Sequence, residues 1–149
     1  MVSRKPPAAA LHASPDDVEA QFYEALQRGD LAHLMGVWAD DDEVVCVHPG
    51  GGRLIGPRAI RESFEAIFAN GSIPVQPEQI HRLQSLGSAV HHLVERISVE
   101  GPDGPQMAYV LTTNVYVKTE QGWRMAAHHS SPGHPDEPLA AGEAPSTLH

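Results

Sequence analysis

Apolar residues in the first third of the chain recur at the spacing of a helix face. The first set follows the spacing i, i+4, i+7 and i+8: Val18, Phe22, Ala25 and Leu26. Ser14 is suited to cap the start of this helix, and Gly29 can end it, because glycine readily adopts the left-handed conformation. The pattern therefore predicts a first helix between Ser14 and Gly29.

Two more helices are predicted before residue 72. Asp30 is suited to cap a short second helix, whose buried side would carry Leu31, Leu34, Met35 and Trp38. Pro57 suits the first position of a third helix, and Asn70 and Gly71 mark its end. The apolar face of the third helix repeats the spacing of the first: Ile60, Phe64, Ile67 and Phe68. Each predicted helix has one apolar face, so all three should pack against a core.

Beyond residue 74 the apolar pattern changes to the period-two alternation of strands. Four long segments rich in β-branched residues are separated by glycine-containing turns: 75–86, 88–100, 106–118 and 123–131. A shorter apolar run over 44–48 predicts one earlier strand, which Pro49 would end. Helices early and hairpin-connected strands late are typical of an α+β domain. We therefore predict three N-terminal helices packed on a strongly curved, mostly antiparallel sheet.

Several positions of the late strands are apolar on both faces of the predicted sheet. Within 107–117 these positions include Val110, Leu111, Val115 and Val117. Helices can cover only one face, so the other face needs a second cover, and another copy of the chain is the simplest one. We therefore expect a homodimer that forms through the convex face of the sheet.

The length and charge of the chain limit the classes of function. The 149 residues fit a single domain, and 41% are hydrophobic and 19% charged, as in ordinary globular proteins. A net charge of −9 without a basic stripe argues against nucleic acid or an anionic membrane as a partner. No apolar run is long enough to span a membrane, and no signal peptide is recognised. We therefore expect a cytoplasmic protein.

The two ends of the chain differ in composition from the middle. Residues 1–13 are rich in proline and alanine without a helical stripe, and residues 132–149 are rich in proline, glycine, alanine and acidic residues. Such segments can bury little apolar surface. We therefore predict a disordered N-terminal arm over 1–13, a folded domain over 14–131 and a disordered C-terminal tail over 132–149.

A histidine closes the short apolar strand at the point where the core should meet solvent. His48 directly precedes Pro49, and a neutral imidazole is a competent base at neutral pH. His48 either lines a pocket or simply hydrogen-bonds a backbone carbonyl at the strand end. Cys46, the single cysteine, lies inside this strand, so we predict a buried and unreactive thiol.

A series of short motifs runs from the first helix to the last strand. They are "GDL" at 29–31, "WADD" at 38–41, "HP" at 48–49, "GPRAIRESF" at 56–64 and "TTNVYVKTEQGWRMAAHHSS" at 112–131. In these motifs the chain resembles the SnoaL-like and nuclear transport factor 2-like superfamily, over about residues 15–131. The resemblance implies a cone-shaped α+β fold with an internal pocket. It implies no single activity, because this fold hosts many unrelated functions.

The resemblance to ketosteroid isomerase, a member of the superfamily, implies where a site would lie. The general-base aspartate of that enzyme corresponds to His48, and its second oxyanion donor corresponds best to Asn114. Its tyrosine on the first helix corresponds to Phe22, which has no donor. These departures argue against steroid isomerisation but leave a base in the pocket. The resemblance therefore implies catalytic roles for His48 as the base and for Asn114 and a last-strand histidine, His128, as donors.

Histidines and an arginine on the late strands are further candidates, and the sequence leaves open which face they occupy. Successive residues of a strand point to opposite faces, so at most one of His128 and His129 can enter the pocket. The resemblance to the kinase association domain, another member, implies that His128 and Ser130 lie inside, with a cavity arginine near Arg96. Inside, Arg96 would need a carboxylate or an anionic ligand. Outside, it would form an exposed cross-strand ion pair with Glu100 or Glu120.

The residues that we expect to contact a ligand combine aromatic and polar side chains. They are Phe22, Trp38, Phe64, Arg96, Tyr116, His129 and Ser130. The aromatic members form either a pocket wall or simply part of the core. Candidate metal ligands, such as His48, His128 and Asp41, lack a close ligand spacing, so we predict no metal and no cofactor.

The pattern and the resemblance together favour a small-molecule-binding protein whose ligand is hydrophobic or of mixed polarity. If the protein is an enzyme, we expect proton-transfer chemistry, such as isomerisation, dehydration, cyclisation or hydrolysis, with His48 as the base. The alternative is a non-catalytic ligand-binding module or a dimeric association module of the same fold.

Overall fold

The computed structural model of the protein describes residues 12–133. Three helices lie in the first half of the chain: α1 (Pro15–Arg28), α2 (Leu31–Gly36) and α3 (Pro57–Phe68). Ser14 Oγ accepts a hydrogen bond from the amide of Asp17 at 3.1 Å, and Gly29 closes α1 with a left-handed φ of 66°. The predicted start and end of the first helix are therefore confirmed.

Helices α2 and α3 follow the sequence prediction with one difference. Asp30 caps α2 through its carboxylate, as predicted, but the helix is only 6 residues long. Trp38 consequently lies beyond the end of α2, in a segment that forms an isolated parallel bridge with Met125. In α3, Ile60 and Phe64 are buried, so the predicted apolar face of this helix does face the core.

Six strands form a single sheet. They are β1 (Val45–Val47), β2 (Arg53–Ile55), β3 (Val75–Gln84), β4 (Ser88–Gly101), β5 (Gly104–Thr119) and β6 (Gly122–Pro132). Their order across the sheet is β2-β1-β6-β5-β4-β3, and β1 runs parallel to β6 while all other neighbours are antiparallel. The predicted α+β fold with a mostly antiparallel sheet is confirmed. Strand β2 was not predicted, because three residues are too few to reveal a period.

The helices cover one face of the sheet, which we call the inner face. On β5, Thr112, Asn114 and Tyr116 are buried on this face, and the residues between them are only half-buried. The pairing of β5 with β6 shifts at one point, where Ala126 is an extra residue on β6. A bulge of this kind bends the strand and increases its twist, so it contributes to the curvature of the sheet.

Aromatic contacts join α1 and α3 above the inner face. The ring of Phe22 packs edge-on against Tyr23 at a centroid distance of 5.2 Å and against Phe64 at 6.3 Å. Edge-to-face pairs of this kind contribute about 0.5–1.5 kcal/mol beyond the area that they bury. All three rings are at most 2% exposed, so the helices are held together at the level of the core.

Cys46 lies on the inner side of β1 and is fully buried, as predicted. Burial, with a smaller contribution from the charge of Glu95, raises the pKa of the thiol to about 12. The thiolate is the reactive form of cysteine, so this environment favours an inert thiol. The low reactivity itself stays a prediction.

The predicted arm and tail lie almost entirely outside the described residues. At their inner limits, the carbonyl of His12 accepts a hydrogen bond from the amide of Trp123 at 2.9 Å, and Pro132 ends β6. Among the described helices, none combines the length and the apolar character needed to cross a membrane. The disorder of the two ends and the cytoplasmic location stay predictions.

Candidate functional site

A cavity of about 170 Å³ lies between the C-terminal part of α1, helix α3 and the inner face of the sheet. Most of its wall is apolar: Leu26, Pro49, Phe64, Ile67, Ile73, Val75 and Ile97. Four polar residues complete the wall: His48, Glu95, His128 and Ser130. A concave, mostly apolar site with a few polar groups is the usual form of a small-molecule site. We call this cavity the pocket.

The register of the strands explains why the polar groups meet. Asn114 on β5 lies opposite His91 on β4 and opposite His128 on β6, and Thr112 lies opposite Ser130. Neighbouring strands are about 4.8 Å apart, so opposite side chains on the same face are close enough to form hydrogen bonds. One row on the inner face therefore joins polar residues of three strands, and the adjacent row joins Thr112 and Ser130 of two strands.

Asn114 fixes the orientation and the tautomer of His128. Nδ1 of His128 lies 2.6 Å from Oδ1 of Asn114, and because this amide oxygen can only accept, Nδ1 carries the proton. Nε2 is then an acceptor, and it lies 3.2 Å from Oγ of Ser130. Burial, with smaller contributions from His48 and His129, lowers the pKa of His128 to about 3. The imidazole is therefore neutral at physiological pH.

Glu95 is the pocket residue whose pKa lies closest to neutral pH. Its side chain is only 5% exposed, and burial raises its pKa to about 7. Hydrogen bonds from Tyr23 and Thr112 oppose this rise, and the charge of Glu19 adds to it. A carboxyl group with such a pKa can donate or accept a proton near neutral pH.

Two hydroxyl groups link Glu95 to His128. Oγ1 of Thr112 lies 3.0 Å from Oγ of Ser130, which in turn contacts Nε2 of His128. Because Nε2 can only accept, Ser130 donates to it, and Thr112 donates to Ser130. Thr112 also forms a side-chain hydrogen bond with Glu95, which lowers the pKa of the carboxyl group and so favours its ionised form. Ionised Glu95 draws the proton of Thr112 to itself and weakens the contact with Ser130.

A second group of buried polar side chains lies behind Glu95. Tyr23 donates from its hydroxyl to Oε2 of Glu95 at 2.7 Å. Nδ2 of Asn114 donates to the hydroxyl of Tyr23 at 3.1 Å and to Oε2 of Glu19 at 3.3 Å, and Tyr116 donates to the same oxygen at 2.6 Å. Burial and the neighbouring carboxylates raise the pKa of both tyrosines well above the usual range. Both phenols therefore stay protonated donors, and they hold Glu95 and Glu19 in place.

His48 lies on the other side of the pocket, where the chain leaves β1. Its Nε2 is 2.7 Å from Oγ of Ser63, and its ring packs edge-on against Phe64 at a centroid distance of 5.0 Å. Burial lowers the pKa of His48, so the imidazole is neutral and can accept a proton at neutral pH. Strands β6 and β5 lie between His48 and Glu95 in the sheet, so these groups approach a bound molecule from different sides.

The pocket therefore combines a proton donor with a proton acceptor in apolar surroundings. Below about pH 7, protonated Glu95 can donate a hydrogen bond to a ligand oxygen, while neutral His48 can take up a proton. Low polarity around both groups strengthens their electrostatic effect on a bound molecule.

Four of the residues that the sequence predicted for the site line the pocket: His48, Phe64, His128 and Ser130. Asn114, Phe22 and Tyr116 lie behind it and are fully buried. Asn114 holds His128, and Phe22 packs against the ring of His128 at a centroid distance of 4.9 Å. Tyr116 holds Glu19. These three residues support the wall of the pocket from the core and do not face a ligand.

The structure places three of the expected ligand-binding residues outside the pocket. Arg96 and His129 lie on the outer face, because their neighbours on β4 and β6 occupy the inner face. Arg96 forms an ion pair with Glu78 of β3 at 2.9 Å, so it has a carboxylate partner outside the pocket. Trp38 is 4% exposed and borders a different cleft, because it lies beyond the end of α2.

Glu95 and Glu19 are site residues that the sequence did not predict, and Tyr23, a candidate only for an aromatic wall, has a polar role that was not predicted either. Glu95 lies on the same face of β4 as the apolar residues Leu93 and Ile97. A carboxylate among residues that should face the core is a signal that could have revealed it. Glu19 and Tyr23 are four residues apart on α1, so they lie on the same side of that helix. Their contacts with the sheet are long-range and leave no spacing pattern.

The described residues 12–133 also contain a compact group of metal-ligating side chains: Asp16, Glu19 and His91. None of the three lines the pocket. The group therefore lies outside the pocket wall and is connected to it through Glu19, whose charge contributes to the raised pKa of Glu95.

Comparisons with known proteins connect this fold and pocket to a family. The family model of the SnoaL-like domain matches residues 16–135. A solved structure from Thiobacillus denitrificans, provisionally named a calcium/calmodulin-dependent protein kinase type II association domain, is 32% identical. The match covers 82% of this chain and 97% of that chain, with a TM-score of 0.74. A provisionally named dehydratase of the NTF2-like family from Streptomyces avermitilis is 30% identical, over 78% of this chain and 91% of that chain, with a TM-score of 0.70.

More distant structures share the fold alone. An uncharacterised protein with a cystatin-like fold from Caulobacter vibrioides is 18% identical, over 81% of this chain and 88% of that chain, with a TM-score of 0.70. No curated protein matches the chain. The family model spans most of the chain, and the first two structures share at least 30% of the aligned residues with it. The resemblance inferred from the motifs is thereby confirmed, and the chain belongs to the SnoaL-like domain family.

Proposed function

We propose that the pocket binds a small, largely apolar carbonyl compound and transfers a proton within it. The observation that carries this proposal is the carboxyl group of Glu95, which has a pKa of about 7 and opens onto an apolar cavity shared with neutral His48. Membership of the SnoaL-like family and the likeness to a provisionally named dehydratase support small-molecule chemistry.

The size of the pocket limits the ligand. Its volume is about 170 Å³. A cavity of about 150 Å³ accommodates benzene, so a single ring with one or two substituents fills this pocket. A four-ring steroid is too large for it, which agrees with the argument from the motifs against steroid isomerisation. We therefore propose a one-ring or short-chain ketone or aldehyde as the substrate class.

In the proposed reaction, His48 removes a proton from the carbon next to the carbonyl group. The electrons of the broken C–H bond form a C=C bond, and the carbonyl oxygen gains negative charge, which a hydrogen bond from protonated Glu95 stabilises. The imidazolium then returns its proton to the same carbon or to a conjugated carbon, which completes an isomerisation. In a substrate with a β-hydroxyl group, the imidazolium instead protonates the departing hydroxyl, which gives dehydration.

Exchange of the α-hydrogens of cyclohexanone in D₂O tests this proposal. Wild-type protein should accelerate the exchange above the buffer rate, and His48→Ala should lose most of the acceleration, because a positioned general base contributes about 10²–10⁴-fold. His129→Ala removes the same group from the outer face and should exchange at the wild-type rate. The rate is measured by proton NMR from the loss of the α-hydrogen signal.

The two states of Glu95 give a second readout in the same assay. In the wild type, exchange should slow above about pH 7, where Glu95 loses the proton that it donates. Glu95→Gln keeps a hydrogen-bond donor at every pH, so exchange should persist without this decline. Glu95→Leu removes the donor and should slow exchange at every pH. Binding of cyclohexanone without any acceleration of exchange would contradict the proposed proton transfer and would indicate a non-catalytic binding protein. Absence of binding to the wild type would contradict the proposed pocket ligand.

A dimeric association module is the second candidate, and it is compatible with a functional pocket. The relative from Thiobacillus denitrificans is provisionally named an association domain. The outer face of the sheet has a shallow groove, lined by His92, Leu111, Thr113, Val115, Ala127, His129 and Ser131. We propose that a second copy of the chain covers this face.

Sedimentation velocity at micromolar concentration tests the dimer. The wild type should sediment as a dimer of the 16.1 kDa chain, and Leu111→Arg should shift it towards the monomer, because a buried unpaired charge is costly. Leu86→Arg, at a 96% exposed position in the turn between β3 and β4, is the matched control and should stay dimeric. A monomeric wild type would contradict the proposal.

A further inference from the structure

His91 on β4 is fully buried, and neither nitrogen of its ring makes a well-directed hydrogen bond to a described residue, although Nδ1 lies 3.0 Å from a carboxylate oxygen of Glu19. Buried polar groups in folded proteins nearly always have a partner, because they lose their hydration on folding. The exceptions usually indicate an ion, a ligand or a bound water. The surroundings of His91 indicate which of these fits.

The carboxylates of Asp16 and Glu19 lie beside the ring of His91. The two acids are three residues apart at the start of α1, so they project from the same side of the helix. Nδ1 of His91 is 3.0 Å from Oε2 of Glu19, and Nε2 is 4.0 Å from Oδ1 of Asp16. One ligand atom from each of the three residues lies within 4.8 Å of the other two.

We propose that Asp16, Glu19 and His91 bind a divalent first-row metal ion, for which zinc is the best match. Zinc binds imidazole nitrogen and carboxylate oxygen at about 2.0–2.2 Å, which places tetrahedral ligand atoms about 3.4 Å apart. Only one nitrogen of His91 can bind the ion, and the ligand atoms of the three residues, which lie within 4.8 Å of one another, must move closer to reach this spacing. Asp16 can move closer, because its side chain is 60% exposed, and water completes the coordination.

The hydrogen bonds of Glu19 suit a role as a ligand. Tyr116 and Asn114 donate to Oε2 at 2.6 and 3.3 Å, so the carboxylate is held in one orientation. Two carboxylates beside one imidazole form a donor set that suits a first-row divalent cation.

Arg82 of β3 occupies the solvent side of the group. Its Nε lies 2.7 Å from Oδ1 of Asp16, and the two side chains are 47% and 60% exposed. Exposed ion pairs of this kind contribute little to stability, so an incoming ion can displace the arginine. Asp16 therefore forms the entrance to an otherwise buried site. The three ligands come from a helix and a distant strand, which explains why no compact metal-binding motif occurs in the sequence.

Zinc titration of the full chain by calorimetry tests the site. The wild type should bind one equivalent tightly. Asp16→Asn and His91→Gln should weaken binding by at least about 100-fold, because the loss of a residue that only orients a ligand already costs about 10–100-fold. The neighbouring variants Asp17→Asn and His92→Gln remove the same groups outside the site. They should bind zinc like the wild type.

Asp16→Asn is the decisive variant, because its position is exposed and the substitution should leave the fold intact. Cobalt provides an independent readout: the wild type should give the visible absorption of tetrahedral Co²⁺, and Asp16→Asn should not. Equal zinc affinity in Asp16→Asn and Asp17→Asn would overturn the proposal, and so would an absence of binding at micromolar zinc. The group would then be a buried contact between the ring of His91 and the carboxyl group of Glu19. The pocket does not enter this test, so its outcome is independent of the proposed function.

Discussion

Replacing Glu95 by glutamine should change the free energy of unfolding in a pH-dependent way. The stability of the variant, relative to that of the wild type, should be higher at alkaline pH than at acid pH. The folded-state pKa of Glu95 is about 7, against 4.5 for the free side chain. Between these values the folded state holds a proton that the unfolded state has released, so the stability of the wild type falls as pH rises through this window. The loss amounts to about 3 kcal/mol in total. Glutamine has nearly the same shape and cannot ionise, so the variant lacks this loss.

Urea unfolding at about pH 4 and about pH 8 measures this effect. The free energy of unfolding of Glu95→Gln, minus that of the wild type, should increase by about 3 kcal/mol between the two conditions. Glu100→Gln, at an exposed position of the same strand, is the control and should show a constant difference. A difference for Glu95→Gln that does not change with pH would mean that Glu95 titrates normally.

Replacing His128 by asparagine should protect the protein against acid. The pKa of His128 is about 3 in the folded state, against 6.5 for the free side chain. Between these values the imidazole is protonated in the unfolded state and neutral in the folded state. The stability of the wild type therefore falls as pH decreases through this window, by about 2 kcal/mol between about pH 6.5 and pH 5. Asparagine places an amide nitrogen near the position of Nδ1, so it can still donate to Asn114.

The same unfolding measurements, made at about pH 7 and about pH 5, test this second prediction. The free energy of unfolding of His128→Asn, relative to the wild type, should increase by about 2 kcal/mol on acidification. His129→Asn changes the adjacent residue on the outer face, and its difference from the wild type should stay small. Parallel pH curves for His128→Asn and the wild type would show that His128 is free to become charged in the folded state.

The fold could be predicted from the sequence wherever an apolar period extends over several repeats. Helices α1 and α3 and strands β3 to β6 have at least 10 residues each, and all six were predicted. Strands β1 and β2 have only three residues each. The parallel pairing of β1 with β6 joins segments from the two halves of the chain, so no local pattern could indicate it.

The orientation of the last strand could not be predicted, for a definite structural reason. Trp123 and Met125 point to the inner face, and so do His128 and Ser130, although the first pair has odd numbers and the second pair even numbers. The bulge at Ala126 reverses the parity within the strand. Counting from Trp123 would therefore assign the wrong histidine to the pocket.

The pocket residues were predicted only where a local feature marks them. His48 stands at the end of an apolar strand before a proline, and its position matches a family motif, so the sequence reveals it. Glu95 lies in the middle of a strand, and its chemistry depends on Tyr23 from α1 and Thr112 from β5. Burial raises the pKa of Glu95 and these two hydrogen bonds oppose the rise, and because both effects come from segments distant in the sequence, the pKa follows only from the packed structure.

The titration of the Glu95 carboxyl carbon, followed by ¹³C NMR with and without cyclohexanone, tests the proposed pocket chemistry most directly. The signal can be assigned from its absence in Glu95→Gln. The account predicts a midpoint near pH 7 for the free protein and a higher midpoint with cyclohexanone, because a carbonyl oxygen accepts a hydrogen bond only from the protonated acid. A midpoint near 4.5 that cyclohexanone does not move would contradict the account.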